Sequence, residues 1–187
     1  MPLTTYTAGQ VLTAASLNSN FAVIGCEVIQ ASTTFTTASA VNVNNVFTAG
    51  YKKHTILIDF TAKSTSLQVF VKLRNAGTDR STAYYSGMFG ADYASAATVY
   101  GSRANNATSG FPVTLSSSSL STQVEIDFFG ATDSATTTTF RGFVPDTSNA
   151  YGLHNGGIHA VVAASDGFSI IASTGTISGS YTILGYK

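Results

Sequence analysis

Charge is the first thing that this sequence lacks. Lys and Arg total 9, Asp and Glu total 9, and these charged residues make up 10% of the 187 positions, with a net charge of zero. In ordinary soluble domains about 25% of the residues are charged. No stretch holds more than two adjacent charges of one sign. Because binding to a phosphate backbone requires a cluster of Lys and Arg side chains, we expect no nucleic-acid partner.

Cysteine and long apolar runs are also scarce. Cys26 is the only cysteine, which excludes an intrachain disulfide framework. It has no neighbouring His or basic residue to activate the thiol, so we expect a small buried hydrophobe. No segment approaches the roughly 20 apolar residues that cross a membrane, so we expect no membrane insertion. Residues 1–12 lack the basic and apolar regions of a secretion signal, and we expect synthesis in a cytosol.

Enzyme signatures are the third absence. The sequence contains no G-x-S-x-G, H-E-x-x-H, P-loop or G-x-G-x-x-G motif. Glu125 and Asp127 would lie about 6.5–7 Å apart on one face of a strand, near the spacing of inverting glycosidases, but the solvent side of an alternating strand explains them as well. The spacing of His154 and His159, with Asp166 nearby, fits no helical metal-binding pair. We therefore predict a non-enzymatic protein with no catalytic residue, no metal site and no cofactor.

Polarity comes instead from hydroxyl groups. The chain has 27 Thr and 23 Ser residues. Thr suits strands, because its branched Cβ fits a pleated surface. A hydroxyl-rich surface with zero net charge gives little electrostatic repulsion between molecules, so we expect an assembly in preference to a free monomer.

Residues 1–25 form the first predicted unit, a short extended arm followed by a helix. Thr13 can cap the helix and Gly25 can end it. A helix of about three turns is marginal alone, so its apolar stripe must dock either on its own sandwich or on a partner subunit. The stripe recurs at helical spacing and consists of Ala14, Leu17, Phe21 and Ile24.

Residues 26–187 form the second predicted unit, an all-β, antiparallel β-sandwich. Apolar and polar residues alternate over 54–62, 67–74 and 124–128, which is the period of a half-buried strand. Turn residues separate the strands, and no helical pattern lies between them, so a sandwich or barrel is favoured over parallel βαβ units. Further strands are predicted at 27–30, 41–48, 82–88, 98–101, 137–144, 158–164, 168–172 and 180–186, with turns that include 75–79, 155–157 and 178–180.

The N-terminal sequence supports a more specific hypothesis. The stretch GQVLTAASLNSNF, from Gly9 to Phe21, resembles the opening of many phage tail-fibre and tailspike-type proteins, in which a GQVLTAxxLNxNF stretch attaches the fibre to the virion. The resemblance implies that the arm and helix dock the protein to other phage virion proteins or clamp a trimer. The contact residues that it implies are Val11, Leu12, Leu17 and Phe21.

The rest of the chain is similar, more loosely, to a sandwich domain of phage fibres and virion proteins. The similarity lies in GYKKHTI from Gly50, KLRNAGTD from Lys72, AYY from Ala83 and GSYTILGYK from Gly179. It implies a jelly-roll-like fold and a homotrimer. Long fibres carry a shaft between anchor and head, and here the predicted helix runs straight into the strands. A short receptor-binding tip, a baseplate part and a capsid decoration protein therefore all stay open.

Aromatic residues in the middle of the chain are the candidate contact site. Tyrosines cluster there with planar hydrogen-bonding groups, a combination that suits a host surface glycan or a protein partner. Plain packing is the third interpretation, with Tyr84 and Tyr85 as strand neighbours that point in opposite directions. The candidate residues are Tyr84, Tyr85, Asp92, Tyr93, Tyr100 and Arg103.

We thus expect a homotrimeric bacteriophage virion protein of the short tail-fibre, receptor-binding type, located in the virion. A capsid decoration protein is the alternative, and a polysaccharide-degrading spike domain is the third hypothesis.

Overall fold

A computed structural model describes residues 25–92, 99–114, 122–146 and 151–187. The predicted arm, helix and docking residues of the N-terminal unit lie outside the described residues. The regular secondary structure of the described part consists of β-strands, with no helix. Its strands are β1 Cys26–Ala38, β2 Ala40–Val43, β3 Lys53–Lys63, β4 Val69–Asn75, β5 Thr78–Asp79, β6 Tyr84–Asp92, β7 Val99–Ala107, β8 Phe111–Pro112, β9 Thr122–Phe129, β10 Thr138–Asp146, β11 Tyr151–His159, β12 Gly167–Ala172 and β13 Ile177–Tyr186.

The strands form two antiparallel sheets. The large sheet has the order β1-β13-β3-β9-β10-β11-β6-β7, and the small sheet has the order β2-β12-β4-β5, with β8 also paired to β4. The prediction of an all-β antiparallel sandwich is confirmed.

The strand order is that of a jelly roll with an extension. Eight strands, taken in chain order, are β1, β2, β3, β4, β8, β9, β12 and β13. In the large sheet the neighbours are β1, β13, β3 and β9, which are the first, eighth, third and sixth of the eight strands. In the small sheet the neighbours are β2, β12, β4 and β8, which are the second, seventh, fourth and fifth. This is the double Greek-key order of a jelly roll. The pairs β6–β7 and β10–β11 lie outside that order and widen the large sheet beyond β9; we call these four strands the hairpin extension.

The core lies between the two sheets. The alternation predicted from the sequence is observed: Val69, Val71 and Leu73 are fully buried on β4, and Val124, Ile126 and Phe128 are buried on β9. Aromatic rings join the layers, since Phe111 of β8 lies 3.7 Å (centroid to centroid) from Phe140 of β10. Burial of this apolar surface, at about 25 cal/mol per Å², is the main favourable contribution to folding.

One hydrogen-bonded link also crosses the core. The backbone N–H of Leu73 donates to the Tyr84 hydroxyl at 3.0 Å, and that hydroxyl donates to the carbonyl of Arg80 at 3.0 Å. A buried phenol needs such partners, because an unpaired one would carry its full desolvation penalty. Tyr84 thus ties the extension to the small sheet.

Two predicted turns are wrong, for the same reason. The 155–157 segment lies inside β11, and the 178–180 segment lies inside β13 next to a bulge. A Cβ on Gly157 would lie 2.1 Å from the Tyr85 carbonyl oxygen, and one on Gly179 would lie 2.1 Å from the Asp59 carbonyl oxygen. These glycines therefore allow a neighbouring strand to approach closely, and do not reverse the chain. The predicted strand at 158–164 accordingly ends at residue 159.

Candidate functional site

The outward side of the large sheet carries large apolar side chains, and we call it the outer face. Alternation places one residue in two of each strand on this side, away from the small sheet. On β9 the outward residues include Glu125 and Asp127, as the sequence predicted. On other strands of the large sheet this side also carries exposed large apolar residues, namely Leu57, Tyr85, Phe89, Phe143 and Ile158, with exposed fractions from 36% to 63%. Exposed apolar patches of this kind mark interaction surfaces.

An aromatic ridge runs across three strands of the hairpin extension. Phe89 on β6, His154 on β11 and Phe143 on β10 are Cα partners in the sheet register. The His154 ring centroid lies 5.8 Å from that of Phe89 and 5.4 Å from that of Phe143. The ridge therefore presents three flat rings side by side, and both phenylalanines are exposed, Phe89 at 63%.

A charge cluster lies next to the ridge. Asp127 is 5% exposed although it faces outward. Its carboxylate accepts hydrogen bonds from Thr55 Oγ1 at 2.5 Å and Arg141 Nε at 3.0 Å, and it pairs with Lys53 Nζ at 3.2 Å. Burial raises the pKa of Asp127, but the bonds from Thr55, Arg141 and Lys53 together outweigh burial and hold the pKa below its ordinary value. Asp127 is therefore an ionised structural anion at neutral pH.

The contacts of Asp127 bear on whether Glu125 and Asp127 could act as a pair of catalytic carboxylates. An acid catalyst of glycoside cleavage needs a raised pKa, so that it is protonated at neutral pH. Asp127 has the opposite shift, and its two oxygens are both engaged by neighbouring side chains. Of the two residues, Asp127 is therefore engaged in structural contacts, and its carboxylate is not free to act as the second catalytic group.

The cations of the cluster also pack on aromatic rings. Lys53 Nζ lies 3.9 Å from the ring centroid of Tyr186, and the Arg141 guanidinium lies 5.3 Å from that of Phe129. Cation–π contacts of this kind hold the charged groups in place on a half-exposed surface. The outer face is thus ordered by side-chain contacts beyond its backbone ladder.

The structure separates the two tyrosines that the sequence grouped. Tyr85 is exposed on the outer face, whereas Tyr84 is fully buried. The prediction that Tyr84 contacts a glycan or a subunit is therefore wrong, and the interpretation of two strand neighbours pointing in opposite directions is confirmed. Arg103 is exposed on β7, opposite Gly87 of β6.

Three other residues of that set are only partly described. Asp92 and Tyr100 lie on β6 and β7, where the backbone alone is described, and Tyr93 lies outside the described residues.

The histidines do not form a metal site. His154 belongs to the ridge, while His159 is buried against Tyr84 at 4.8 Å between ring centroids, and burial lowers the pKa of His159. Asp166 accepts a hydrogen bond from the Ala76 backbone N–H at 2.7 Å. Within the described ranges, no group of three or more His, Cys, Asp or Glu side chains could hold a metal ion. The expectation of a buried Cys26 is wrong, because this thiol is exposed at the start of the edge strand β1.

Among the described residues, the outer face has shallow depressions that include three of about 460, 480 and 490 Å³. The first lies between the aromatic ridge and the charge cluster, and the second lies beside Leu57. The third is lined by residues that include Tyr85, Gly87, Arg103, Gly156 and Ile158.

Sequence reasoning missed the ridge and the glycines Gly87 and Gly156. The available signal was an apolar residue in the polar phase of an alternating strand: Phe143 falls in the outward phase of β10, where Glu125 is the register partner on β9. The sequence pattern alone does not show that Phe89 and Phe143 meet across His154, because the strand of Phe89 is far in the chain from the two consecutive strands that carry Phe143 and His154.

Comparisons with known proteins found no matching family model, no matching curated protein and no matching solved structure. In the part of the chain that the structure describes, no helix is long and apolar enough to span a membrane.

Proposed function

We propose that this protein is a non-enzymatic structural component of a bacteriophage particle, of the short tail-fibre or receptor-binding type. In this proposal the jelly roll turns its outer face toward the host surface, and the N-terminal segment attaches the protein to the virion. The observation that carries the proposal is the exposed apolar face of the hairpin extension. Three of the four strands added to the jelly roll bear Tyr85, Phe89, Phe143 and Ile158 outward.

The composition of the face supports a role in contact. Aromatic side chains give large, stiff contact areas with little loss of conformational entropy, and they are enriched at interfaces. Most of the outward residues of the extension carry no charge, so there is little desolvation penalty when the face is covered. An apolar face of this kind suits a protein surface or a glycan better than a nucleic acid.

The jelly-roll order supports the same proposal from the fold. Jelly rolls are found in viral capsid and lectin domains, which are proteins that assemble or bind carbohydrate. This support comes from the architecture alone, because one fold can carry many functions. It agrees with the resemblance of the Gly9–Phe21 stretch to the virion-attachment segment of phage fibres.

The N-terminal segment and the trimer form the second part of the proposal. Val11, Leu12, Leu17 and Phe21 are the residues through which the chain docks to the particle or clamps a homotrimer. The sequence predicts a three-turn helix here, and such a helix would gain most of its stability from packing of its apolar stripe, which this proposal assigns to a partner subunit. The zero net charge of the chain also favours association.

Incorporation into particles tests the docking role. Phage would be grown with a tagged full-length chain that carries Leu17→Asp and Phe21→Asp, with Ser16→Asp and Ser19→Asp as a control in the same segment and with the same added charge. We expect the tag on purified particles for the wild-type chain and the control, and its loss for the apolar-stripe variant. Equal incorporation of all three chains would contradict the docking role.

The position of the label on the particle tests the receptor-binding role. Gold-labelled antibody against the tag should be found on the tail when particles are imaged. Labelling spread over the head would contradict the receptor-binding role and would identify a capsid decoration protein.

The absence of catalysis is tested separately. Host surface polysaccharide incubated with the wild-type protein should keep its chain length, as measured by size-exclusion chromatography. Shortening that disappears in Glu125→Gln would overturn the non-enzymatic proposal in favour of a polysaccharide-degrading spike.

A further inference from the structure

Two glycines lie side by side in the middle of the hairpin extension. Gly87 of β6 and Gly156 of β11 are Cα partners, and both face outward. A glycine in a strand interior reduces stability by roughly 0.5–1 kcal/mol relative to alanine, because it loses more backbone freedom on folding and packs no side chain. Two of them in one cross-strand row therefore require a reason.

The fold does not supply that reason. A Cβ on Gly87 would meet nothing closer than 3.8 Å, and one on Gly156 nothing closer than 3.6 Å, which are ordinary van der Waals contacts. Neither glycine has the positive φ that favours this residue. Gly157, the next residue, provides the contrast, because its Cβ would lie 2.1 Å from a backbone oxygen. The packing requires Gly157, whereas Gly87 and Gly156 leave an open space that none of the described residues fills.

The open space has two apolar walls. Tyr85 and Ile158 are register partners on one side, and Phe89 and His154 are register partners on the other. On each strand the two walls are four residues apart, which corresponds to roughly 13 Å between Cα atoms. We call this space, with its glycine floor, the glycine trough. The depression of about 490 Å³ covers the floor and the wall of Tyr85 and Ile158, while Phe89 and His154 line the neighbouring depression of about 460 Å³.

A free cation stands at one end of the trough. Arg103 is the Cα partner of Gly87 across the β6–β7 ladder, and it lines the depression. It is exposed and has no hydrogen-bond or ion-pair partner within the described residues. Arg141 lies at the other end and differs, since Asp127 engages its guanidinium. Arg103 is therefore the guanidinium available to a ligand in the trough.

We propose that the glycine trough binds an acidic sugar unit of a surface polysaccharide, with the sugar ring between the two apolar walls and its carboxylate on Arg103. A ring lying over Gly87 and Gly156 would reach the sheet backbone, which is the close approach that strand glycines permit. A guanidinium offers paired N–H donors that match both carboxylate oxygens. A neutral sugar would use the walls but leave Arg103 without a partner. This inference rests on the proposed function, because it names the class of host-surface ligand.

Binding to defined polysaccharides tests the proposal. The full-length protein would be titrated by calorimetry with oligosaccharides from an array of bacterial surface polysaccharides, both acidic and neutral, and with the carboxyl-reduced form of the acidic one that binds best. We expect binding to a carboxylated oligosaccharide and at least a tenfold weaker affinity after carboxyl reduction. Arg103→Gln should show the same loss, whereas Lys52→Gln, which removes an exposed charge outside the trough, should not.

A second pair of variants tests the space itself. Gly156→Val should fill the floor and weaken binding at least tenfold, while Thr182→Val places the same side chain on the outer face at a distance from the trough and should leave affinity unchanged. Unfolding midpoints of all variants within a few degrees of wild type would show that the fold is kept. Unchanged affinity in both Arg103→Gln and Gly156→Val would overturn the proposal, as would the absence of binding to every carboxylated glycan.

Attachment to whole host cells separates this proposal from the function on which it rests. If the wild-type protein binds cells and both trough variants bind them equally well, the trough proposal fails and the receptor-binding role stands. If the wild-type protein binds no cells, the receptor-binding role itself fails.

Discussion

His54 makes the stability of the sandwich depend on pH. Its side chain is 1% exposed, at ring-centroid distances of 4.9 Å from Phe47 and 5.7 Å from Tyr51, and its Nε2 atom has no hydrogen-bond partner within the described residues. Burial lowers the pKa of His54 from 6.5 to about 4. Between these two values the unfolded chain binds a proton that the folded chain does not bind. The free energy of unfolding is therefore highest above pH 6.5 and falls as the pH drops toward 4.

The size of the loss follows from the shift. A change of about 2.5 pKa units corresponds to roughly 3 kcal/mol, because each unit is worth about 1.36 kcal/mol. Since most domains have a stability of only about 5–15 kcal/mol, this loss should be easily visible. His159, whose pKa burial also lowers, adds a loss in the same direction. Asp127 contributes only at lower pH, because its pKa is held below 3.8.

Urea unfolding at pH 7.5 and at pH 4.5 measures the effect, followed by circular dichroism because the chain has no Trp. His54→Phe keeps a buried aromatic ring and removes the titrating group, so its loss of stability between pH 7.5 and pH 4.5 should be smaller than that of wild type by roughly 2.5 kcal/mol. His154→Gln, a change at an exposed histidine, is the control and should behave as wild type. A His54→Phe protein that loses as much stability as wild type between pH 7.5 and 4.5 would refute this reasoning.

Two further predictions concern the hydrogen-bonded link and the glycines of the hairpin extension. Tyr84→Phe should lower the free energy of unfolding in urea by about 1–3 kcal/mol, because the buried N–H of Leu73 loses its acceptor; a change under 0.5 kcal/mol would contradict the role of the link between the sheets. Gly157→Ala should lower the thermal unfolding midpoint, because its Cβ would overlap a backbone oxygen. Gly156→Ala should keep or raise the midpoint, since alanine in a strand can add up to about 1 kcal/mol to the free energy of unfolding. Equal midpoints for the two alanine variants would show that the close strand approach is not rigid.

The alternating strands could be predicted from the sequence because burial on one side imposes a period of two. Val69, Val71 and Leu73 point into the core as the pattern predicts, and so do Val124, Ile126 and Phe128. The antiparallel sandwich followed from these strands and from the absence of helical patterns between them. These features are local, so a single sequence is sufficient to find them.

The positions of the glycines could not be predicted, because they depend on neighbours from distant parts of the chain. An Asn-Gly-Gly sequence is typical of a turn, and only the approach of β6 explains why Gly157 lies within a strand. The two shortest strands, β5 and β8, have two residues each and carry no periodic signal.

The candidate site was predicted only in part. Tyr85 and Arg103 were found from composition, and both lie on the outer face. The ridge of Phe89, His154 and Phe143 depends on the pairing of β6, β11 and β10, which the sequence does not specify. Tyr84 belongs to the same tyrosine-rich stretch but is buried, because neighbours in a strand point in opposite directions.

Binding of the purified protein to host cells tests the central claim most directly, namely that the outer face makes the contact with the host. A Phe89→Ser and Phe143→Ser double variant would be compared with a Val161→Ser and Val162→Ser double variant, which removes exposed apolar side chains (39% and 52% exposed) from a segment outside the large sheet. We predict that the ridge variant loses binding while its unfolding midpoint stays close to wild type, and that the control variant binds as wild type. A folded ridge variant that binds host cells with wild-type affinity would contradict the account.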